Sequence, residues 1–348
     1  MPQPEGKTLT ISTYLTNLAV GMIPGTRQFI ASRLLPNLPV NARRGIYFEW
    51  ETGSFLRPEG KELANAEPAP IGGFEGKQER TYRVGKYGIA TNWTDEDLSE
   101  AENGPMGARG LELRKVRYVT EQALLNLELQ TASLIRGNGW GLDLAGVDAV
   151  TDPATQFLRF DDDASEPIKL LKWIIRRFQF RTGIRPNTML MPGTVVDVLT
   201  EHPEFIDRIK YGSNANNPAI VRTALLAQLL GIPNIVEAES VHNTALEGQA
   251  SNMVWTWGHD IWIGYVAPEG AMDIESPSAA YRFSWVGNNG VRPSPFQAAA
   301  NPQGIYINRF NSQRPAAYWA EAYRFSTPKI VASDLGCILR DAITAPTF

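Results

Sequence analysis

The strongest constraint in this sequence is a stretch that cannot fold by itself. Ile46-Tyr47-Phe48-Glu49-Trp50 reads as a strand leading out, and Thr81 through Ala90 as a strand leading back, because aromatic and β-branched residues mark both. Between them Pro58, Gly60, Pro68, Pro70, Gly72, Gly73 and Gly76 mix with Arg57, Glu59, Lys61, Glu62 and Glu67. Proline and glycine interrupt regular pairing, and the charges leave no apolar set, so this middle builds no core. Two strands alone bury too little surface to be stable in water. The hairpin therefore lies on another protein, with Arg57, Glu59, Lys61 and Glu62 as candidates for ion pairs between subunits; the alternative is a mobile surface loop.

The rest of the chain supplies a rigid body for such a projection. Residues 1–45 read as an arm, with Leu9, Ile11, Tyr14, Leu15, Leu18 and Val20 as scattered apolar anchors broken by Pro24-Gly25 and Pro36. A small helical subdomain is the alternative for that stretch. Thr94 caps a helical region rich in acids, Asp95-Glu96-Asp97, which suit the positive end of the helix dipole. From about 108 to 136, Leu113, Val116, Thr120, Leu124, Leu127, Thr131 and Leu134 recur every three or four residues and form one stripe. Such a helix spans roughly 40 to 45 Å, enough to lie across a sheet as a spine, and Gly137-Asn138-Gly139 stops it.

Residues 165–290 read as a compact α/β unit. It has a helix from Ile168 to Thr182, a buried strand Thr188–Met191, a helix Val195–Glu201 continued through His202–Tyr211, and a polar loop Gly212–Pro218. An apolar helix Ala224–Leu230 and a short strand Ile235–Ala238 follow, and Met253–Trp257 and Ile261–Val266 read as a hairpin around Gly258-His259-Asp260. The closing region, 291–348, holds strand-like stretches at 304–310, 316–325 and 329–331. The fold class is α+β.

Composition removes several functions. With 43% apolar and 20% charged residues the chain is an ordinary folded protein. No apolar run nears the about 18 to 20 residues of a membrane span, and no basic-then-apolar leader opens the sequence, so synthesis and retention in the cytoplasm are expected. A net charge of −4 argues against gripping nucleic acid by its phosphates. The one cysteine, Cys337, sits among Leu335, Ile338 and Leu339 and reads as a small core residue.

Catalysis finds little material. His259-Asp260 sits in a turn, no Gly-x-Ser-x-Gly elbow exists, and His202 beside Pro203 reads as helix initiation. Asp161-Asp162-Asp163 invites a cation, yet acids and serine before Pro167 are ordinary helix-start signals. Arg176-Arg177-Phe178-Gln179-Phe180-Arg181 interleaves bases with aromatics; a helix that buries Trp173 and Phe180 and turns its arginines outward explains it better than nucleic-acid contact. No catalytic residue, cofactor or metal is expected.

The order of parts, arm, charged hairpin, spine helix, inserted α/β unit and closing strands, resembles the HK97-like fold of tailed-phage major capsid proteins. The wording Arg185-Pro186-Asn187-Thr188-Met189-Leu190-Met191-Pro192-Gly193-Thr194-Val195, then His202-Pro203-Glu204-Phe205-Ile206-Asp207-Arg208-Ile209-Lys210-Tyr211, is similar to a segment of that family. Leu229 through Ala238 and Ala332 through Leu339 resemble its following helix–turn–strand and its closing strand.

The resemblance implies an N-terminal arm (1–45), an extended E-loop (46–91), a peripheral P-domain (92–164 with the spine helix, and 291–348) and an A-domain (165–290). It implies an icosahedral shell of pentamers and hexamers around double-stranded DNA, with a separate scaffolding protein, a portal and a possible decoration protein as partners. Some shells of this fold join a loop lysine to an asparagine of the next subunit beside a glutamate base. Lys61 lies in the matching loop, and Asn301, Asn308 or Asn311 in the C-terminal part is the candidate partner. Two rival readings stand beside this one: an encapsulin-type compartment around protein cargo, and, suggested by nine tryptophans, a carbohydrate-binding tail protein.

Overall fold

A computed structural model describes residues 29–50, 77–102, 107–137, 139–206, 223–268, 277–285, 305–313 and 316–345, with positions 56, 58, 60, 62–63 and 68–69 in the hairpin. The expectations for residues 1–28, for Arg57, Glu59 and Lys61, for 207–218 and for Asn301 fall outside the described residues.

In chain order the elements are α1 (Ala31–Leu34), β1 (Asn37–Val40), β2 (Arg44–Trp50), β3 (Lys77–Arg83), β4 (Lys86–Trp93), α2 (Asp95–Glu102) and α3 (Gly107–Arg136). Then follow β5 (Leu142–Val147), β6 (Gln156–Leu158), α4 (Pro167–Thr182), β7 (Thr188–Pro192), α5 (Gly193–Glu201), α6 (Thr223–Leu230) and β8 (Asn234–Ala238). The last group is β9 (Val241–Asn243), β10 (Met253–Trp255), β11 (Ile261–Gly264), β12 (Ala280–Trp285), β13 (Ile305–Gln313), β14 (Ala316–Ile330) and β15 (Gly336–Arg340).

Two sheets organise the body. In the first, β14 is the axis: β13 and β4 flank its first part antiparallel, and β12 pairs with its last part from Ser326 to Ile330. β1 adds a parallel edge to β12, so residues 37–40 belong to this sheet. Ala320 and Ala322 on β14 keep the surface low where Val116, Val119, Ala123 and Leu124 of α3 settle on it with Trp93, Ile305 and Ile307. The second sheet runs β6-β5-β15-β11-β7-β8. Its centre is the chain's last strand, β15, parallel to β5 and antiparallel to β11. Ile174, Ile175 and Phe178 of α4 join Met189, Trp262, Ile263 and Ile338 in the same apolar core.

The structure corrects four details of the sequence reading. The return strand 81–90 is two strands, because the chain turns a corner at Val84-Gly85. Val84 is buried with its amide on Arg43 O at 2.8 Å, and the Gly85 amide bonds Thr327 Oγ1 at 3.0 Å. Residues 253–257 and 261–266 form no hairpin. β10 pairs with β9, while β11, buried along its length, needs neighbours on both sides and finds them in β7 and β15. Gly258, at φ 58°, makes the turn between them.

The stretches 316–325 and 329–331 are parts of one strand. Pro328 is tolerated there because the residue opposite, Arg282, sends its amide to Pro36 O at 2.9 Å instead. Finally, α4 turns Trp173 and Phe180 outward, at 43% and 89% exposure. Ile168, Leu171, Ile174, Ile175, Phe178 and Thr182 already complete its inner face.

Candidate intersubunit surface

β2 and β3 form a two-stranded ribbon of their own, in register from Arg44 opposite Arg83 to Trp50 opposite Lys77. Its root is fastened to the body. Tyr47 is buried, donates its hydroxyl to Ile330 O at 3.0 Å and sits 5.5 Å from the Phe283 ring. Tyr82 stacks on the same ring at 4.7 Å and 13°. Gly45 lies across from Tyr82, whose ring fills the space a Cβ would take. Glu49 accepts from Arg80 Nε at 3.0 Å and from Ser333 Oγ at 3.3 Å.

The attachment is one-sided at the root, where Ile46 beside Tyr47 is 57% exposed, and fades toward the tip, where Leu56 is 56% and Leu63 39% exposed. Every described position from 56 to 69 is exposed, Glu62 included. Leu56 lies over Gly183 at the end of α4, yet keeps most of its surface open.

The arm enters the body at a buried carboxylate. Glu128 of α3 is fully buried and accepts from the amides of Ile30 and Ala31 at 3.1 and 2.9 Å and from Trp257 Nε1 at 2.7 Å. Ser240 Oγ adds a longer contact at 3.4 Å. Burial raises its carboxyl above the ordinary range, against the pull of these donors. Glu128 thus ties the end of the arm, the spine helix and the β9–β10 region together. Sequence reasoning missed it, although its place on the α3 stripe, four residues after Leu124 and three before Thr131, marks it as a polar group held inside.

Of the asparagines considered for a cross-link, Asn308 is buried on β13 and donates its amide to Glu321 Oε2 at 3.2 Å, which also receives the Tyr323 hydroxyl at 2.7 Å. Asn311 is exposed on the same strand. The groups considered for catalysis are spoken for. His202 Nδ1 accepts from the Glu204 amide at 3.2 Å, which leaves the proton on Nε2, 3.1 Å from Ser165 Oγ. In that tautomer the imidazole donates toward the serine and is no base for it.

Asp260 receives Arg136 Nε at 2.7 Å, and His259 Nδ1 lies 3.1 Å from Thr194 Oγ1. Asp161 and Asp162 accept the amides of Thr344 and Ala164 at 3.1 and 2.8 Å. Among the described residues no three His, Cys, Asp or Glu side chains converge as a metal site requires, and no helix is long and apolar enough to cross a membrane. Cys337 is fully buried and burial pushes its thiol up, away from reactivity.

No family model matches the chain. It is 23% identical over 257 residues to the major capsid protein of Burkholderia phage BcepMu, covering 74% of this chain and 76% of that one. A phage-related protein from Bordetella bronchiseptica RB50 superposes with a TM-score of 0.69 at 19% identity, over 97% of this chain and 100% of that one. The capsid structure of cyanophage P-SCSP1u superposes with a TM-score of 0.53 at 9% identity, over 98% and 92%. At these identities the superpositions establish architecture: the mixed α+β body is that of the HK97-like capsid fold.

Proposed function

We propose that this chain, a relative of a phage major capsid protein with the HK97-like fold, is itself the major capsid protein of a tailed bacteriophage. It builds an icosahedral head of pentamers and hexamers around double-stranded DNA, in the cytoplasm of the host. The observation that carries this reading is the ribbon. It is an isolated pair of strands whose root holds Tyr47 as its buried apolar side chain, while Ile46, Leu56 and Leu63 stay in solvent. Such a ribbon gains burial only on a second copy.

A closed shell asks one chain to occupy several slightly different environments through contacts weak enough to be corrected. A rigid two-sheet body with a projection supplies both properties, and many modest contacts together hold each subunit in place. In this reading 46–91 is the E-loop, and Arg57, Glu59, Lys61 and Glu62 form ion pairs with the neighbour. The first sheet with α3 is the peripheral part, and 165–290 lies toward the capsomer axis. A scaffolding protein, a portal and a decoration protein complete the partners.

Negative-stain microscopy of the expressed chain tests this. Closed shells of uniform size are expected. A compact monomer at high concentration, with the ribbon protected from protease, overturns the proposal.

A further inference from the structure

The helix α4 carries five bases, Lys169, Lys172, Arg176, Arg177 and Arg181, and no acid, in a chain whose net charge is −4. Carboxylates outside the helix match two of them, Glu166 with Lys169 at 2.6 Å and Asp334 with Arg181 at 2.8 Å. Lys172, Arg176 and Arg177 have no ion pair among the described residues. Arg176 meets the Gln179 amide at 3.4 Å, and Arg177 covers the Trp173 ring.

The outward aromatics belong to the same surface. Lys169, Trp173, Arg176 and Phe180 follow one another at four, three and four residues, which makes one stripe opposite the buried Ile168, Leu171, Ile174 and Phe178. Trp173 and Phe180 stand about 10 Å apart along the axis, with Arg176 between them. Phe180, at 89% exposure, gains nothing from its own subunit. The stripe thus offers two apolar rings set among cations, and its occupant must supply both acids and apolar side chains.

Duplex DNA supplies only half of that: its phosphates suit the bases, but its own stacked pairs leave no partner for Phe180. The acidic helix α2 of a second copy fails in the same way, because it packs Leu98, its one large apolar residue, against its own body. An amphipathic helix with acids beside an apolar row supplies both parts. We propose that the outward face of α4 is a docking site for such an acidic amphipathic helix of a partner protein, whose apolar row covers Trp173 and Phe180 while its carboxylates meet Lys172, Arg176 and Arg177. The proposal goes beyond the shell reading and does not depend on it.

A labelled synthetic peptide of about 18 residues, with a leucine row at helical spacing between rows of glutamate, tests this by fluorescence anisotropy against the full chain. Saturable binding is expected. Phe180→Ser and Arg176→Glu, both at exposed positions, should leave the urea midpoint unchanged, and each should raise the peptide's Kd about tenfold. No binding by the natural chain overturns the proposal. So does binding that Arg176→Glu weakens but Phe180→Ser does not, or that duplex DNA competes away equally well from the natural chain and from Phe180→Ser, since the face would then be a site for any polyanion.

Discussion

The spine helix and the ribbon treat their apolar residues in opposite ways. α3 buries Val116, Val119, Ala123 and Leu124 on the first sheet, then Leu127, Thr131, Ala132 and Ile135 farther along. Its inward face is satisfied within the subunit, and so is its inward charge, Glu128. The ribbon buries Tyr47 where it leaves the body and shows Ile46, Leu56 and Leu63 to solvent. One element stabilises the subunit; the other holds interaction surface in reserve. Exposed apolar groups on the ribbon are available for burial on a neighbour of the right shape.

That contrast can be broken most sharply from the helix side. Leu127→Ala removes a side chain that is 2% exposed, and is expected to cost the subunit about 2–5 kcal/mol in urea unfolding. A cost near zero would mean that α3 is not the spine of the body. Glu128→Ala comes next, because it leaves the Trp257 indole and the Ile30 and Ala31 amides buried without their acceptor, a loss of about 1–3 kcal/mol.

Its pH dependence has a definite sign. Burial holds the folded carboxyl above the ordinary glutamate range, so proton uptake favours the folded chain. This contribution is present in full below the unfolded value and is lost as pH rises through the raised folded value. Glu128→Gln cannot titrate, so unfolding curves of the two proteins should show the natural chain gaining on the variant as pH falls. A natural chain that loses ground on acidification contradicts the desolvation argument.

The junction between the two regions gives a smaller effect. Gly45→Ala pushes a Cβ into the Tyr82 ring, which is stacked on Phe283. The subunit is expected to lose about 1–2 kcal/mol, with protease cleavage in the ribbon rising well before the body unfolds. Equal resistance of ribbon and body would show that they are one cooperative unit.

Much of this contrast is legible in the sequence, for reasons that can be named. The stripe Val116, Thr120, Leu124, Leu127, Thr131 announces α3 because burial on one helix face imposes a period, and Gly137 follows its end at Arg136. The ribbon is legible from what it lacks, an apolar set between two strands. Pairing is less so. The corner at Val84-Gly85 and the placement of β15 at the centre of the second sheet depend on partners far away in the chain, Thr327 for one and Leu142–Val147 for the other.

Trp173 and Phe180 mislead for a related reason. Aromatic residues suggest burial, but six neighbours on α4 already fill the inner face. Arg177 lies over the Trp173 ring at 4.8 Å, so that outward surface is partly self-covered. Glu128 escapes notice because a charged letter in an apolar pattern signals a buried group only once its donors are located.

The smallest effect on the subunit is the most informative about the ribbon. Ile46 is opposite Thr81 and 57% exposed, one residue from the buried Tyr47. Exposed substitutions away from caps and cores usually shift stability by less than about 0.5 kcal/mol, so Ile46→Ser should leave the urea midpoint of the free subunit unchanged. If Ile46 is covered by a neighbour, losing its burial weakens each contact by about 1–2 kcal/mol, and that loss repeats at every copy in a closed shell. Assembly is then expected to need several-fold more protein while the subunit itself is unaltered, read by light scattering against concentration. Equal assembly by the two proteins would mean that the apolar face of the ribbon stays in water in the finished particle, and that the reserve assigned to it is not used.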